Sequence, residues 1–227
     1  MYVKDHMTKN PLTITEDEKI SKAVEIMGRN NFHRIPVVDK DGRLVGLITG
    51  GTVEESTGAK NTSLSIFELN YLLSKRSVKD LMITNVKTTT EDVFLEEAAK
   101  VMIDNSVACL PVVDKESRVV GIITEKDMFK AFTDLMGYGR QGTRFVIKCV
   151  DQPGFFMGVA KLFADNDANL ESLAVFHTEE RGTEVVVKAT GEIPVEKMRD
   201  ILNKAGYTIT EIVQTTVDGK RVKHPVA

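Results

Sequence analysis

The residues best suited to hold a ligand form the stretch Gly121-Ile122-Ile123-Thr124-Glu125-Lys126-Asp127. An apolar run, typical of a buried strand, ends in a hydroxyl, and a carboxylate follows three residues later, where a helix is predicted to begin. Free helix N–H groups and the Thr124 hydroxyl suit a phosphate, and the two oxygens of Asp127 can accept from both hydroxyls of a ribose. A local role is the alternative, in which Thr124 caps the helix and Asp127 faces its dipole.

This stretch belongs to an internal repeat in which residues recur 75 positions later, as Val3 recurs at Val78. The matching segments are Val3-Lys4-Asp5-x-Met7 with Val78-Lys79-Asp80-x-Met82, Pro36–Lys40 with Pro111–Lys115, and Val45-Gly46-x-Ile48-Thr49 with Val120-Gly121-x-Ile123-Thr124. Two copies are too few for a solenoid, and they predict a pseudo-twofold pair packed face to face.

The first copy differs from the second at the position of Asp127, where it carries Thr52. One hydroxyl cannot accept from two ribose hydroxyls as a carboxylate can, so the sequence predicts one nucleotide per chain. His33, Arg34 and Thr49 offer phosphate contacts at the other cleft, and Arg34 can pair with a phosphate from the neighbouring site. The alternative is that His33 and Arg34 are solvated residues at the entry of a strand.

Each copy is predicted to fold as helix, hairpin and helix, with a short entering strand around residues 12–14 in the first copy. Apolar residues spaced along one helical face precede each hairpin: Ile20, Ala23, Val24 and Met27, then Leu95, Ala98, Ala99 and Met102. Between the copies, Ile66, Leu69 and Leu73 mark a connecting helix, with Phe67 and Tyr71 beside them. Its apolar face is expected to pack on the core, and a binding groove is the alternative.

A second type of domain follows the repeat. Three glycines between residues 137 and 142 indicate a boundary that needs flexibility or positive φ. Beyond it, the predicted order β-α-β-β-α-β within about 70 residues is that of the ferredoxin-like fold. The fold class is therefore mixed α+β.

Composition narrows the function classes. The 227 residues carry a net charge of −3 with interspersed signs, which argues against nucleic acid as a partner. Apolar runs are far shorter than the roughly 20 residues that span a bilayer, so no membrane role is expected. Cys109 and Cys149 show no metal or redox spacing, which favours a reducing cytoplasm. Lys220, Arg221 and Lys223 lie in a segment expected to fray.

The repeat resembles a tandem CBS-domain pair (a Bateman module), on its two copies of Pro-Val-Val-Asp-Lys followed by Gly-x-Ile-Thr. The C-terminal part resembles an ACT domain, on Asp151-x-Pro153-Gly154, the helix after it and Asn169-Leu170. The connecting segment, residues 63–73, is similar to that of AcuB-type CBS–ACT proteins of acetoin utilisation. The predicted boundaries are 1–56 for the first CBS repeat, 57–76 for the connecting segment, 77–136 for the second repeat, 137–143 for a linker, 144–217 for the ACT domain and 218–227 for a tail.

The CBS resemblance implies a regulatory adenosine-nucleotide ligand such as AMP, ADP or ATP. In the CBS motif, the position of Asp127 holds the ribose and the position of Thr124 holds the phosphate. Lys126 lies between these two residues in the sequence and is expected to belong to the same site. The segment before and including the proline supplies backbone groups and apolar walls for adenine: Val107, Ala108, Cys109, Leu110 and Pro111. An entering strand closes the other side: Thr84, Asn85 and Val86.

The ACT resemblance implies an amino-acid or other small effector. Free N–H groups after the turn Asp151-Gln152-Pro153-Gly154 suit a carboxylate, and Asn169 can accept from an ammonium group. The fold needs the same turn without any ligand, and that alternative stays open.

The leading hypothesis is a cytoplasmic, non-catalytic sensor that forms a homodimer through the CBS pair or the ACT domain and signals to an unknown regulated protein. A dimerising scaffold with vestigial sites is the alternative. An enzyme is the least favoured hypothesis, because the four histidines are scattered and form no nucleophile–base pair.

Overall fold

The computed structural model describes residues 1–57, 73–149, 152–180, 182–191 and 194–226. These residues form two compact units, Met1–Phe129 and Lys130–Ala227. Each unit is described by itself below. Among the described helices, none has the length and apolar character that a bilayer crossing requires.

The first unit contains both copies of the repeat. The elements of the first copy are α1 (Val3–His6), β1 (Thr8–Lys9), β2 (Ile14–Thr15), α2 (Ile20–Asn30), β3 (Arg34–Val38), β4 (Leu44–Thr49) and α3 (Gly50–Thr57). Those of the second are a 3-10 helix (Val78–Asp80), α4 (Leu95–Asn105), β5 (Cys109–Val113), β6 (Val119–Thr124) and the start of α5 (Glu125–Leu135).

The predicted helical faces are confirmed. Helix α2 buries Ile20, Ala23 and Met27, and α4 buries the residues at the same positions of the second copy, Leu95, Ala98 and Met102. Each helix ends at a left-handed residue, Asn31 with φ 54° and Ser106 with φ 53°. Polar residues at these ends stop the helix and turn the chain into the hairpin strand.

The two copies exchange segments, which confirms the predicted pseudo-twofold pair. Strand β1 of the first copy pairs with β6 of the second, with Thr8 opposite Ile122. The reciprocal bridge joins Ile83 of the second copy to Leu47 of the first. The hairpin turns also bond to each other, since Leu44 N–H donates to Ser117 at 2.9 Å and Val119 N–H donates to Gly42 at 3.1 Å.

The segment Thr84–Val86 is not a strand: it is bent, with Thr84 and Asn85 exposed, and only single-residue bridges at Ile83 and Thr89 flank it. The connecting-helix prediction at residues 66–71 lies outside the described residues. Leu73 is described and lies in the buried core of the first copy.

The second unit is a five-stranded antiparallel sheet with two helices on one face. Its elements are β7 (Gly142–Lys148), α6 (Phe155–Ala164), β8 (Asn169–Thr178), β9 (Gly182–Thr190), α7 (Val195–Lys204), β10 (Ile209–Thr215) and β11 (Arg221–His224). The strand order β11-β10-β7-β9-β8 is the ferredoxin-like order with one strand added. Phe145, Phe163 and Met198 lie in the buried core between sheet and helices.

The frayed tail predicted at residues 218–227 is wrong for the four residues 221–224. Residues Arg221–His224 form β11, which pairs with β10 so that Val222 faces Gln214. The basic residues of this strand hid its character, because an edge strand tolerates charged side chains that a central strand does not.

The glycines of the predicted linker, 137–143, could allow either flexibility or positive φ, and the structure shows positive φ. Gly137, Gly139 and Gly142 have φ of 61°, 79° and 134°. The segment is also bonded to the sheet of its own unit, since the buried Lys188 donates from Nζ to the Arg140 carbonyl at 2.7 Å.

Candidate functional site

The junction between β6 and α5 holds Asp127 in a fixed position. One carboxylate oxygen, Oδ2, accepts from the Thr124 N–H at 2.8 Å and from the Thr124 hydroxyl at 2.7 Å. These bonds are those of a local cap, in which an acidic residue in the first turn of a helix accepts a hydrogen bond from the N–H of the residue before the helix. The other oxygen, Oδ1, accepts no hydrogen bond from the described residues, and it is the atom left for a ligand.

In the first copy, the side-chain oxygens at the same junction are all engaged in hydrogen bonds. Thr49 and Thr52 bond each other reciprocally: the Thr49 N–H donates to Thr52 Oγ1 at 3.2 Å, and the Thr52 N–H donates to Thr49 Oγ1 at 3.1 Å. The Thr52 hydroxyl also donates to the Thr49 carbonyl at 2.8 Å. Both junctions therefore satisfy the N–H of the threonine that precedes the helix, and only the second does so with a carboxylate.

The predicted adenine segment lies directly beside this junction. Cys109 is paired with Thr124 across the β5–β6 hairpin, and Val107 and Ala108 are half-buried before it. Some of the expected backbone groups are already used, since the Ala108 carbonyl accepts from Glu125 N–H at 3.2 Å and the Pro111 carbonyl from Thr89 N–H at 3.1 Å. Leu110 and Pro111 are buried, Val86 is half-buried and Lys126 is exposed.

Arg34 occupies the first position of β3, which corresponds to Cys109 in the second copy. Burial raises the pKa of the Cys109 thiol to about 11, while the Arg34 charge lowers it and Glu125 raises it further. His33 is exposed, and its carbonyl accepts from Gly50 N–H at 2.9 Å.

Cys109 is expected to resist alkylation. Its pKa of about 11 lies above the ordinary value of 9.0, so near pH 8 the native thiol carries about 100-fold less thiolate than the unfolded chain. The protonated thiol stabilises the fold fully below pH 9, and this contribution is lost as pH rises through 11. Mass spectrometry after iodoacetamide treatment measures the labelling rate, and native Cys109 that labels as fast as the denatured control contradicts the assignment.

The predicted ACT effector residues are not brought together within one chain. Gln152, Pro153 and Gly154 are exposed at the start of α6, where Gly154 has φ 87° and no side chain caps the helix; Asp151 lies outside the described residues. Asn169 starts β8 opposite Thr190. That is the far end of the sheet from the Lys148 terminus of β7 that leads into the turn.

An exposed apolar face on α5 was missed from the sequence. Phe129, Phe132 and Leu135 are 68%, 61% and 56% exposed. Their spacing of three residues is the signal that marks one helical face. Large contiguous apolar surfaces on a protein commonly mark interaction sites.

Comparison with known proteins defines the class. The CBS domain model matches residues 3–53 and 78–134, and the ACT domain model matches residues 143–207. The uncharacterized protein MJ1426 of Methanocaldococcus jannaschii is 30% identical over 153 residues, which cover 58% of this chain and 90% of that protein. The chain belongs to the CBS domain family and carries an ACT domain after its CBS pair.

Individual relatives differ in how much of them the chain covers. It spans about half, 46%, of MJ1225 of the same organism, at 33% identity and over 57% of this chain. Among solved structures, the CBS pair of MJ0100 in complex with 5′-methylthioadenosine and S-adenosyl-L-methionine is 30% identical, with a TM-score of 0.50, covering 58% of this chain and 99% of that one. A putative acetoin utilization protein (AcuB) from Vibrio cholerae is 26% identical, with a TM-score of 0.50, covering 60% and 93%.

Proposed function

We propose that this chain is a non-catalytic regulatory protein of the cytoplasm that senses an adenosine ligand of the AMP, ADP or ATP class at the second CBS copy. The observation that carries the proposal is the Asp127 carboxylate, which is held by Thr124 through one oxygen and keeps the other free. A ribose offers two adjacent hydroxyl donors to such a group.

The MJ0100 complex supports the ligand class. Its two ligands, 5′-methylthioadenosine and S-adenosyl-L-methionine, share an adenine and a ribose and carry no phosphate. Adenosine is therefore the chemistry expected at the second copy, and the group attached at the 5′ position is what Arg34 and Lys126 select. The Thr124 hydroxyl already donates to Asp127, so it meets a phosphate as a donor only by turning away from that bond.

Isothermal calorimetry on the wild-type chain tests the proposal. The ligand set is AMP, ADP, ATP, S-adenosylmethionine and 5′-methylthioadenosine, with GMP as the base control. At least one adenosine ligand is expected to bind. The adenosine site is excluded if none of the five gives a heat of binding, and binding of the two phosphate-free ligands alone contradicts the AMP, ADP or ATP class.

Arg34 is expected to affect the affinity only for ligands that carry a phosphate. Replacing Arg34 by glutamine removes a charge that pairs with phosphate, so the affinity for AMP is expected to fall about tenfold, the loss of roughly 1.4 kcal/mol. The affinity for 5′-methylthioadenosine is expected to change less than twofold. Equal losses for both ligands in the calorimeter contradict a phosphate role.

Signalling is proposed to occur by population shift. A ligand that binds one relative arrangement of the two copies better than another favours that arrangement and so alters contacts with a regulated protein. The ACT domain adds a second input, an amino-acid carboxylate at the turn Gln152–Gly154. Because Asn169 lies at the far end of the sheet, it serves the same effector only from a second copy of the chain.

A homodimer through the apolar face of α5 is part of the proposal. Phe132→Glu places a charge in the middle of that face, and burying an unpaired charge at an interface is costly. Light scattering is expected to show a dimer for the wild type and a monomer for the variant. Glu54→Ala on α3, the position that matches Phe129 in the first copy, is the control and keeps the dimer. A Phe132→Glu variant that stays dimeric excludes this interface.

The second candidate is a dimerising scaffold whose Asp127 only caps a helix, and the Thr124 bonds favour it. A thermal-shift screen separates the two functions, because a ligand at 100 times its dissociation constant stabilises by about 2.7 kcal/mol. A dimer that no nucleotide or amino acid stabilises is a scaffold.

A further inference from the structure

A lysine in the ACT sheet holds the linker that precedes the sheet in the chain. Lys188 lies on the sheet face opposite α6 and α7, because its neighbours Val187 and Ala189 belong to the core beneath those helices. The residue is only 4% exposed, and its Nζ donates to the Arg140 carbonyl at 2.7 Å. A buried ammonium needs such a partner. We call residues 137–141 the strap, since this bond fixes them to the sheet.

Two further side-chain contacts attach the strap to the sheet. The Arg140 guanidinium donates to Glu171 Oε1 at 3.0 Å, and the Arg221 guanidinium lies 5.7 Å from the centre of the Tyr138 ring, within the range of a cation–π contact. Glu171 lies at a β-bulge of β8, between two residues that pair with β9, and a bulge turns a side chain out of the regular alternation. Strands β8, β9 and β11 therefore all contact the strap.

The strap continues from α5 through a defined helix end. Gly137 has φ 61°, its N–H donates to the Asp134 carbonyl at 3.1 Å, and Tyr138 N–H donates to the Thr133 carbonyl at 3.0 Å. These two bonds and the left-handed glycine form a Schellman motif. A side chain at Gly137 would also crowd the sheet, since its Cβ would lie 3.3 Å from Glu171 Oε2. Movement of the strap therefore requires a change at the end of α5.

Closing the strap has a cost. Arg144 and Ser172 lie opposite Lys188 on the neighbouring strands. Arg144 Nε, Ser172 Oγ and Glu171 Oε2 are buried and have no hydrogen-bond partner among the described residues. Burial also lowers the pKa of Lys188, which the Glu171 carboxylate raises and Arg144 lowers further. Water would satisfy these groups in an open strap, so the closed and open states are close enough in free energy for binding elsewhere to shift the balance.

We infer that the strap switches between a closed and an open state and couples the adenosine site to the ACT sheet. Helix α5 links the two, because its first turn holds Asp127 and its last residue, Leu135, lies directly before the Schellman motif. The inference rests on the proposed function, since the adenosine ligand is the input. A ligand that fixes the first turn of α5 stabilises the helix down to its end and thereby favours the closed strap. By linkage, opening the strap lowers the affinity for that ligand.

Cleavage of the full chain by an arginine-specific protease measures the strap without any ligand. Cleavage after Arg140 needs an open strap, and cleavage after Arg144 in the central strand β7 reports unfolding of the whole domain. Lys188→Met keeps an unbranched stem and removes the ammonium, so it is expected to be cut at least tenfold faster after Arg140 and at an unchanged rate after Arg144. Lys148→Met, which replaces an exposed lysine on the same sheet face, is the matched control and is cut as the wild type is.

Glu171→Gln is the second variant and removes the charge of the ion pair with Arg140. It is expected to be cut about threefold faster after Arg140, because an exposed ion pair contributes less than a buried bond. A folded Lys188→Met that is cut after Arg140 at the wild-type rate overturns the inference. If Lys188→Met unfolds, so that cleavage after Arg144 rises as well, Glu171→Gln decides: selective cleavage after Arg140 supports the strap, and the wild-type rate overturns it.

The coupling is tested with AMP, ADP, ATP, S-adenosylmethionine and 5′-methylthioadenosine as probes. At saturation, the tightest binder is expected to slow cleavage after Arg140 at least threefold in the wild type and to have no effect in Asp127→Asn. Its affinity is expected to be at least threefold lower in Lys188→Met and unchanged in Lys148→Met. If a probe binds and neither the cleavage nor the affinity changes, the coupling is overturned and the proposed function stands. If no probe binds, the proposed function fails and the coupling fails with it, while the ligand-free cleavage still decides whether the strap exists.

Discussion

Replacing Asp127 by asparagine is expected to abolish adenosine-ligand binding while leaving the fold intact. Asparagine keeps one oxygen to accept from Thr124, as Asp127 Oδ2 does now at 2.7 and 2.8 Å, and asparagine serves well at helix starts. Its other atom is an N–H₂ donor, which faces the ribose hydroxyls in place of an acceptor. Losing two hydrogen bonds to a charged group, each worth about 1.5–3 kcal/mol, weakens binding by more than about 100-fold.

Asp127→Ala separates the two roles of this residue. It removes the cap as well as the ligand contact, so it is expected to lower stability by about 1 kcal/mol and the melting temperature by about 2–4 °C, in addition to losing the ligand. Thr52→Ala is the matched control, because it removes the cap of the first copy and leaves affinity unchanged. Calorimetry and thermal melts measure both properties. Wild-type affinity in Asp127→Asn would show that the carboxylate is only a cap.

Replacing Gly46 by alanine is expected to be strongly destabilising. A Cβ at Gly46 would lie 2.6 Å from Met82 Sδ and 3.0 Å from the Ile83 carbonyl oxygen. That oxygen accepts from Leu47 N–H at 2.9 Å, so the methyl group pushes apart the bridge through which the copies exchange segments. Overpacking of this kind costs about 1–3 kcal/mol, and at about 2–4 °C per kcal/mol the melting temperature is expected to fall by about 2–12 °C.

Gly121→Ala is the control for this prediction, since Gly121 holds the same position in the second copy. The three atoms nearest to its added Cβ all belong to the side chain of Met7, and an unbranched thioether adapts at low cost. The loss of stability in urea unfolding is expected to be less than half of that in Gly46→Ala. Equal losses in the two variants would show that the backbone contact at Ile83 does not limit the exchange.

Most of the correct predictions about the first unit follow from the repeat. Apolar spacing located α2 and α4 because a helix must bury one face, and matching positions such as Gly46 and Gly121 predicted the pair. The exchange of segments was not predictable, since β1 is only two residues long and a strand that short has no period of its own. The CBS resemblance implied an entering strand at residues 84–86, and the bridges lie on either side of them.

In the second unit, charged residues hid one strand from the prediction, and glycines left two backbone states open. Strand β11 pairs through its backbone at a sheet edge, where the positions of Arg221 and Lys223 give no hydrophobic alternation to detect. The glycines of the linker allowed flexibility or positive φ, and bonds to distant residues, such as that from Lys188 to the Arg140 carbonyl, hold the backbone with positive φ. That lysine lies 48 residues away, beyond any local signal.

The candidate site was predictable in its residue types but not in its bonding. The comparison of Thr52 with Asp127 already marked the second copy. The sequence could not show that Oδ2 is engaged by Thr124 while Oδ1 is free, because the cap and the ligand contact use the same side chain. Nor could it separate Asn169 from the turn at Gly154, since that distance depends on the direction of β8 in the sheet.

The number of adenosine ligands bound per chain tests the central claim most directly. Calorimetric titration of the wild type with its best adenosine ligand is expected to give one molecule per chain, and the same titration of Asp127→Asn is expected to give none. Two molecules per wild-type chain, or one molecule that persists in Asp127→Asn, would contradict the assignment of the site to the second copy.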